Sequence, residues 1–172
     1  MGRKLIDISV PLQNDVPADP PGNHPTIQYI DHQQGLPRML QFFDGLKASD
    51  LPDGQGWAVE QVSLSTHNGT HLDAPWHFHP TMNRGERSWT IDEVPLEWCF
   101  QPGVKLDFRH LPDGYVATAD RHKAGRHIGY CHLEKLHNLE QLPSTGFTVS
   151  CFPVKIERAS AGWTRAVAIV DG

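Results

Sequence analysis

Apolar and polar residues alternate in several short segments, and this pattern predicts a chain built mainly from β-strands. Ile6, Ile8 and Val10 alternate with polar residues, so residues 4–10 are predicted to form a half-buried strand. The same pattern, or a short apolar run, predicts further strands over residues 57–66, 104–108, 128–133, 146–153 and 165–170. Residues 13–27 are rich in proline and polar side chains, which predicts a loop.

Two segments carry signals of a helix. Leucines recur at helical spacing between Leu133 and Leu142. Asp73-Ala-Pro75 resembles a helix start, with Asp73 as the N-cap and Pro75 in the first turn. Short strands with few helices predict an α/β domain with a substantial mixed or antiparallel sheet, and the 172 residues suit a single domain.

The composition excludes several classes of protein. The net charge is −5 and the Lys and Arg residues are scattered, so the sequence contains no basic cluster of the kind that binds nucleic acid. No apolar run approaches the roughly 20 residues of a membrane helix. Asp7 falls where a signal peptide needs an apolar stretch. The sequence therefore predicts a cytoplasmic protein with neither a nucleic-acid nor a membrane partner.

The three cysteines do not form a recognisable motif. Cys99, Cys131 and Cys151 contain no C-x-x-C pair and are odd in number, which argues against a disulfide framework and against a thiolate zinc site. We expect reduced, partly buried thiols. A redox or binding function that uses these cysteines is an alternative that their spacing does not support.

Histidine is the unusual residue, with 11 in the chain and four between positions 67 and 79. Asn68-Gly69 supplies a turn after His67. His71 and Asp73 are two residues apart, so an extended backbone points them the same way. His77 lies four residues after Asp73, a spacing that places two side chains on one face of a helix. No helix or strand period explains the spacing of His67, His71, Asp73 and His77 together. The segment therefore predicts a divalent metal site.

The donor types limit the ion and its use. Nitrogen and oxygen donors without thiolate suit zinc, manganese or iron, and the residues alone do not choose among them. A site of histidines with one or two carboxylates and open positions is of the catalytic kind, because the ion activates water for attack on a carbonyl. His79, two residues beyond His77, fits this arrangement less well and is left out of the predicted site.

The segment from His67 to His77 resembles the hallmark of the cyclase family, His-x-Gly-Thr-His-x-Asp-x-Pro-x-His. The best-known members of that family are bacterial kynurenine formamidases, and isatin hydrolases are relatives. Other parts of the chain are similar to the family's opening strand, to its Glu-x-Leu-x-Asn-Leu segment and to its closing strands. These parts are residues 5–12, 134–143, 151–156, 159–163 and 165–169.

The resemblance implies a swivelling β/β/α fold and a set of metal ligands. His67, His71 and Asp73 would bind one ion. Asp73 would also bridge to a second ion, held by His122 and Glu134, which are twelve residues apart as in the family. Zinc is the first expectation and manganese the second, with one or two ions bound.

The resemblance also implies an activity. His77 would be the catalytic acid–base residue, and the reaction would be hydrolysis of a small amide, formamide, lactam or lactone, as in the arylformamidases of kynurenine catabolism. Members of the family are usually homodimers or larger, so a dimer or tetramer is expected.

The chain departs from the family pattern in two places. Typical members carry several tens of additional residues where Asp120-Arg121-His122 joins two matching segments here, so the single domain has an apparent internal deletion near 120–122. Kynurenine formamidases also carry a Trp in the Pro-rich loop, whereas Asp19 lies near that slot. The alternative to an enzyme is therefore a catalytically inactive, metal-binding remnant of the family.

Overall fold

The computed structural model describes residues 2–107, 110, 112 and 127–171. The deletion point and His122 lie outside these residues. The described residues include the helices α1 (His32–Phe42) and α2 (Pro75–Phe78), together with short 3₁₀ turns. The strands are β1 (Lys4–Asp7), β2 (Thr26–Ile30), β3 (Val59–Ser63), β4 (His71–Asp73), β5 (Thr81–Met82), β6 (Glu86–Arg87), β7 (Phe100–Gly103), β8 (His132–Glu134), β9 (Phe147–Ser150), β10 (Ala161–Trp163) and β11 (Val167–Val170).

Two antiparallel sheets hold the core. One has the strand order β1-β11-β9-β7 and the other has the order β10-β4-β8. Ile6 and Phe147 from the first sheet and Leu72 from the second are buried in one cluster, and Leu133 packs against that cluster. Because side chains alternate along a strand, the residues on either side of Leu72 and Leu133 project from the opposite face of the second sheet. That face carries the candidate site.

The segment between β1 and β4 contains the antiparallel pair of β2 and β3, with α1 in the connection between these strands. The carboxylate of Asp31 accepts a hydrogen bond from the Gln34 backbone N–H at 2.8 Å, and the Gln34 side chain accepts one from the Asp31 N–H, which together cap α1. The sequence pattern did not predict this helix because Gly35 and Pro37 interrupt it. Gly35 is required by packing, since a Cβ there would lie 1.8 Å from the Trp57 carbonyl oxygen.

Several predicted strands are present with shorter bounds. The strand over 4–10 reduces to β1, with Ile6 and Ile8 buried as the alternation predicted. The strands over 146–153 and 165–170 reduce to β9 and β11. The strand over 57–66 reduces to β3, whose residues are all exposed, and it ends before the metal motif instead of running into His67.

Other predictions of local structure are wrong. Residues 104–107 are not a strand, because the strand of that region is β7, which ends at Gly103. The predicted helix from Leu133 to Leu142 is absent. Its place is taken by β8 and a 3₁₀ turn, because Lys135 and Asn138 have left-handed backbones with φ values of 57° and 55°.

The start of α2 and the bounds of the strand predicted over residues 128–133 also differ from the prediction. The N-cap of α2 is Ala74, whereas Asp73 ends β4 and turns its carboxylate into the candidate site. The strand predicted over 128–133 appears only as β8, which extends to Glu134. The predicted class, several short strands with few helices, is confirmed. Within the described ranges, no helix is long and apolar enough to cross a membrane.

Candidate metal centre

The centre begins at a tight turn that carries His67. The backbone N–H of Asn68 donates to the Ser65 carbonyl at 3.1 Å, and the Ser65 N–H donates to the Asn68 side chain at 2.6 Å. Gly69 follows with a φ of 56°, a left-handed conformation that glycine adopts without strain. The turn predicted at Asn68-Gly69 is therefore present, and it brings the chain back into β4.

β4 places two donors on one face of the sheet. Leu72 points into the core, so His71 and Asp73 on either side of it point into the site. Both donors are only 1% exposed. The extended backbone predicted for this pair is confirmed. A polar pair this deeply buried needs polar neighbours, and here the His67 ring and the Gly69 carbonyl lie beside it.

Three atoms from these residues form a compact triangle. Asp73 Oδ1 lies 2.9 Å from His67 Nδ1 and 3.3 Å from His71 Nε2. The two imidazole nitrogens are 3.3 Å apart. Ligands held by one zinc ion at about 2.0–2.2 Å are themselves about 3–3.5 Å apart, so the triangle has the dimensions of one face of a coordination shell.

Hydrogen bonds fix which nitrogen of each ring faces the triangle. His71 Nδ1 lies 2.8 Å from the Gly69 carbonyl oxygen, which accepts only if this nitrogen carries the proton. His67 Nε2 lies 3.0 Å from Ser160 Oγ. These contacts turn His71 Nε2 and His67 Nδ1 toward Asp73, and contacts of this kind at the other ring nitrogen orient metal-binding histidines.

The chemistry of these donors fits a divalent cation. Asp73 Oδ1 is buried and accepts no well-formed hydrogen bond among the described residues, although two ring nitrogens lie beside it. Burial by itself would raise the pKa of the Asp73 carboxyl, but the adjacent His67 and His71 rings outweigh it and hold the pKa below its ordinary value. Asp73 is thus a carboxylate at neutral pH and is available to a cation.

His77 lies next to this triangle on α2. The centroids of the His77 and His67 rings are 4.3 Å apart. Desolvation lowers the pKa of His77, and the negative charge of Asp73 only partly offsets this effect. A neutral imidazole at the edge of the centre can accept a proton near neutral pH. His79, in contrast, contacts the Thr81 carbonyl at 2.8 Å and faces away into a local turn.

Glu134 reaches the centre from β8. In the antiparallel pair of β4 and β8, Glu134 lies opposite His71 and His132 lies opposite Asp73. Glu134 Oε2 is 3.8 Å from His71 Nε2, and its Oε1 is 2.9 Å from His132 Nδ1. The structure therefore brings Glu134 to the predicted site and adds His132. The remaining predicted ligand, His122, is outside the described residues.

A buried ion pair contacts the turn that carries His67. Asp19 in the Pro-rich loop contacts Lys135, which follows Glu134. Asp19 also accepts hydrogen bonds from the Asn68 side chain at 2.9 Å and from the Gly69 N–H at 3.1 Å. The Lys135 ammonium donates to the His67 carbonyl at 2.6 Å. One ion pair thus connects three segments that are far apart in the sequence.

Sequence reasoning missed three of these residues. His132 lies two positions before Glu134, a spacing that puts both on one face of a strand, but the strand was predicted to end at Leu133. The sequence marks Asp19 only as a departure from a family pattern. The leucine spacing places Lys135 in a predicted helix, and no local signal indicates its contact with the Pro-rich loop.

Comparisons with known proteins agree with this geometry. A family model described as "Putative cyclase" matches residues 6–146. The cyclase-like protein 3 of Arabidopsis thaliana is 27% identical over 105 residues, which make up 61% of this chain and 32% of that protein. The aligned part thus spans about a third of the length of this curated relative.

Solved structures share the fold at low sequence identity. Isatin hydrolase A from Ralstonia solanacearum has a TM-score of 0.67 at 18% identity, over 98% of this chain and 92% of that one. Isatin hydrolase A from Labrenzia aggregata, bound to benzyl benzoate, has a TM-score of 0.62 at 17% identity, with 99% and 94% covered. A potential metal-dependent hydrolase with cyclase activity has a TM-score of 0.64 at 15% identity, with 99% and 100% covered. The cyclase-like fold predicted from the sequence is confirmed.

Proposed function

The chain belongs to the cyclase family, and on this basis we propose that it is a metal-dependent hydrolase of small amides. The observation that carries the proposal is the triangle of His67, His71 and Asp73, whose donor atoms lie 2.9–3.3 Å from one another on one face of the sheet. Two histidines and a carboxylate are the donor set of a catalytic zinc or manganese site.

The centre is open on one side, as a catalytic site must be. Asp73 and His71 are buried, whereas the side chains of His67 and Glu134 remain 25% and 37% exposed. A bound divalent cation would supply Lewis-acid activation of water and of the substrate carbonyl. In this proposal the substrate carbonyl approaches from the exposed side of His67 and Glu134.

The side chains around the triangle have separate tasks in this proposal. Asp73 and His71 hold the position of the ion, and the Gly69 carbonyl keeps the His71 ring in the required tautomer. His77 is the catalytic acid–base residue. It takes a proton from the attacking water and returns it to the leaving nitrogen, for which its lowered pKa and its position beside His67 suit it.

We propose a non-peptide C–N bond of a formamide or a cyclic amide as the substrate bond. Two of the proteins with the same fold are isatin hydrolases, and the motif from His67 to His77 is the one that resembles kynurenine formamidases. Formylated arylamines, small lactams and isatin-type cyclic amides are therefore the compounds to assay first, with small lactones as a related class.

The experiment measures turnover of that panel by the zinc- and manganese-loaded chain. We expect hydrolysis of at least one compound, and its loss in the Asp73→Asn variant because the anionic ligand is removed. Asp44→Asn, an exposed aspartate outside the site, is the matched control and should retain full activity. If the metal-loaded chain binds metal but hydrolyses no compound, the inactive metal-binding remnant is the correct description. Cytoplasmic location and a homo-oligomeric state stay predictions.

A further inference from the structure

Two further possible metal ligands, His132 and Glu134, lie on β8 beside the donors of β4. Asp73 lies directly opposite His132, and His71 lies directly opposite Glu134. Leu72 and Leu133 occupy the positions between them and point into the core. Because residues two apart on a strand share a face, all four polar side chains project from the same side of the sheet.

The distances within this group suit one cation. Asp73, His132 and Glu134 each offer one donor atom, and these atoms lie within 4.8 Å of one another. His132 Nδ1 is 2.9 Å from Glu134 Oε1. Asp73 belongs to this group and to the triangle with His67 and His71. A carboxylate shared in this way is the usual bridge between two ions that lie about 3.5–4 Å apart.

We propose that His132 is a ligand of a second divalent cation, together with Asp73 and Glu134. The inference rests on the proposed function, because the second group shares Asp73 with the first. It differs from what the family resemblance implies, which assigns the histidine ligand of this ion to His122. His132 and Glu134 are held on one short strand by its pairing with β4, so their relative position does not depend on the shortened segment near 120–122.

The partial exposure of the pair is consistent with this role. The side chains of His132 and Glu134 are 29% and 37% exposed, whereas Asp73 is 1% exposed. A cation in this group would therefore sit between the buried bridge and solvent, where it meets both water and substrate. The competing role for His132 is that of a positioning residue that contacts Glu134 and orients it without binding the ion.

A thiolate at position 132 distinguishes a ligand from a positioning residue. Cobalt(II) gives a near-ultraviolet charge-transfer band when a thiolate binds it, so the full chain carrying His132→Cys is titrated with cobalt(II) and compared with wild type. The matched control is His137→Cys, an exposed histidine near β8. We expect the band in His132→Cys alone. Its absence there, in protein that binds cobalt and retains the wild-type circular dichroism spectrum, overturns the inference.

Ion stoichiometry gives the second readout. We expect two equivalents of cobalt(II) per chain in wild type and in His137→Ala, and one equivalent in His132→Ala. Two equivalents in His132→Ala, with one in His122→Ala, would return the ligand role to His122 and overturn the inference. One equivalent in wild type would overturn the second site but leave the proposed function intact. No bound ion in wild type would instead contradict the proposed function itself.

Discussion

Asp19 and Lys135, 116 residues apart in the sequence, form a buried ion pair under the turn that carries His67. The Asp19 side chain is fully buried and that of Lys135 is 19% exposed. Lys135 directly follows Glu134, and Asp19 binds the Gly69 N–H. The pair therefore fixes the position of the His67–His71 turn relative to the strand that carries Glu134.

We predict that Asp19→Asn destabilises the fold by about 3 kcal/mol, because it leaves the Lys135 ammonium without its buried partner. Metal affinity should fall as well, because the turn that carries His67 loses its hydrogen bonds to the Asp19 carboxylate. Urea unfolding and a zinc titration of the full chain measure the two effects. Asp44→Asn is the control and should change neither. An Asp19→Asn variant with wild-type stability would show that the ion pair contributes nothing to the fold.

The stabilisation by Asp19 should depend on pH. Burial raises the pKa of Asp19, but Lys135, the Asn68 side chain and the Gly69 N–H outweigh it, and the net pKa is lowered. A carboxyl with a lowered pKa stabilises the folded state above its unfolded pKa, near 3.9, and that contribution is lost as the pH falls through the folded pKa. The difference in free energy of unfolding between wild type and Asp19→Asn should thus be full at neutral pH and shrink below about pH 4.

Urea unfolding of both proteins across this pH range measures the difference. If the difference in free energy of unfolding stays constant down to the lowest pH at which both proteins fold, the charge of Asp19 is not what stabilises the turn.

His77→Ala should reduce the turnover rate while leaving most of the metal bound. His77 contacts the His67 ring but is not a member of the donor triangle. Loss of a general acid–base residue costs about 100- to 10,000-fold in rate. His79→Ala removes a neighbouring histidine that contacts only a local turn among the described residues, and it should keep wild-type kinetics. Retained activity in His77→Ala would overturn the assigned role.

The three thiols should be unreactive in the folded protein. Burial raises the pKa of Cys131 to about 12 and that of Cys151 to about 11, and it also raises the pKa of Cys99. The thiolate is the nucleophile, so an alkylating reagent at about pH 8 should modify none of the three until the chain is unfolded in urea. Mass spectrometry counts the modified residues. Rapid modification of any of them in the folded chain would contradict the prediction.

The proximity of His67, His71 and Asp73 in the candidate metal centre could be predicted because these residues are close in sequence. His67, His71 and Asp73 lie within seven positions, and local rules for a turn and a strand are enough to bring them together. The class of fold followed from the alternation of apolar residues. Neither result needs knowledge of how distant strands pair.

The position of His132 and Glu134 beside this group could not be predicted from local rules. The register that puts Asp73 opposite His132 is set by a strand pairing between residues about 60 positions apart. The leucine spacing after Leu133 favours a helix, but the backbone is left-handed at Lys135 and Asn138, which is incompatible with one. Tertiary contacts of Lys135 with Asp19 and with the His67 carbonyl favour that conformation over the local preference.

Metal content per chain tests the central claim most directly. The full chain is purified without chelator, loaded with zinc or manganese, freed of unbound ion and analysed by elemental mass spectrometry, with Asp73→Asn and Asp44→Asn alongside. The geometry of His67, His71 and Asp73 predicts at least one tightly held equivalent in wild type and in Asp44→Asn, and a large loss in Asp73→Asn. Metal far below one equivalent in wild type, or equal amounts in all three proteins, would contradict the account.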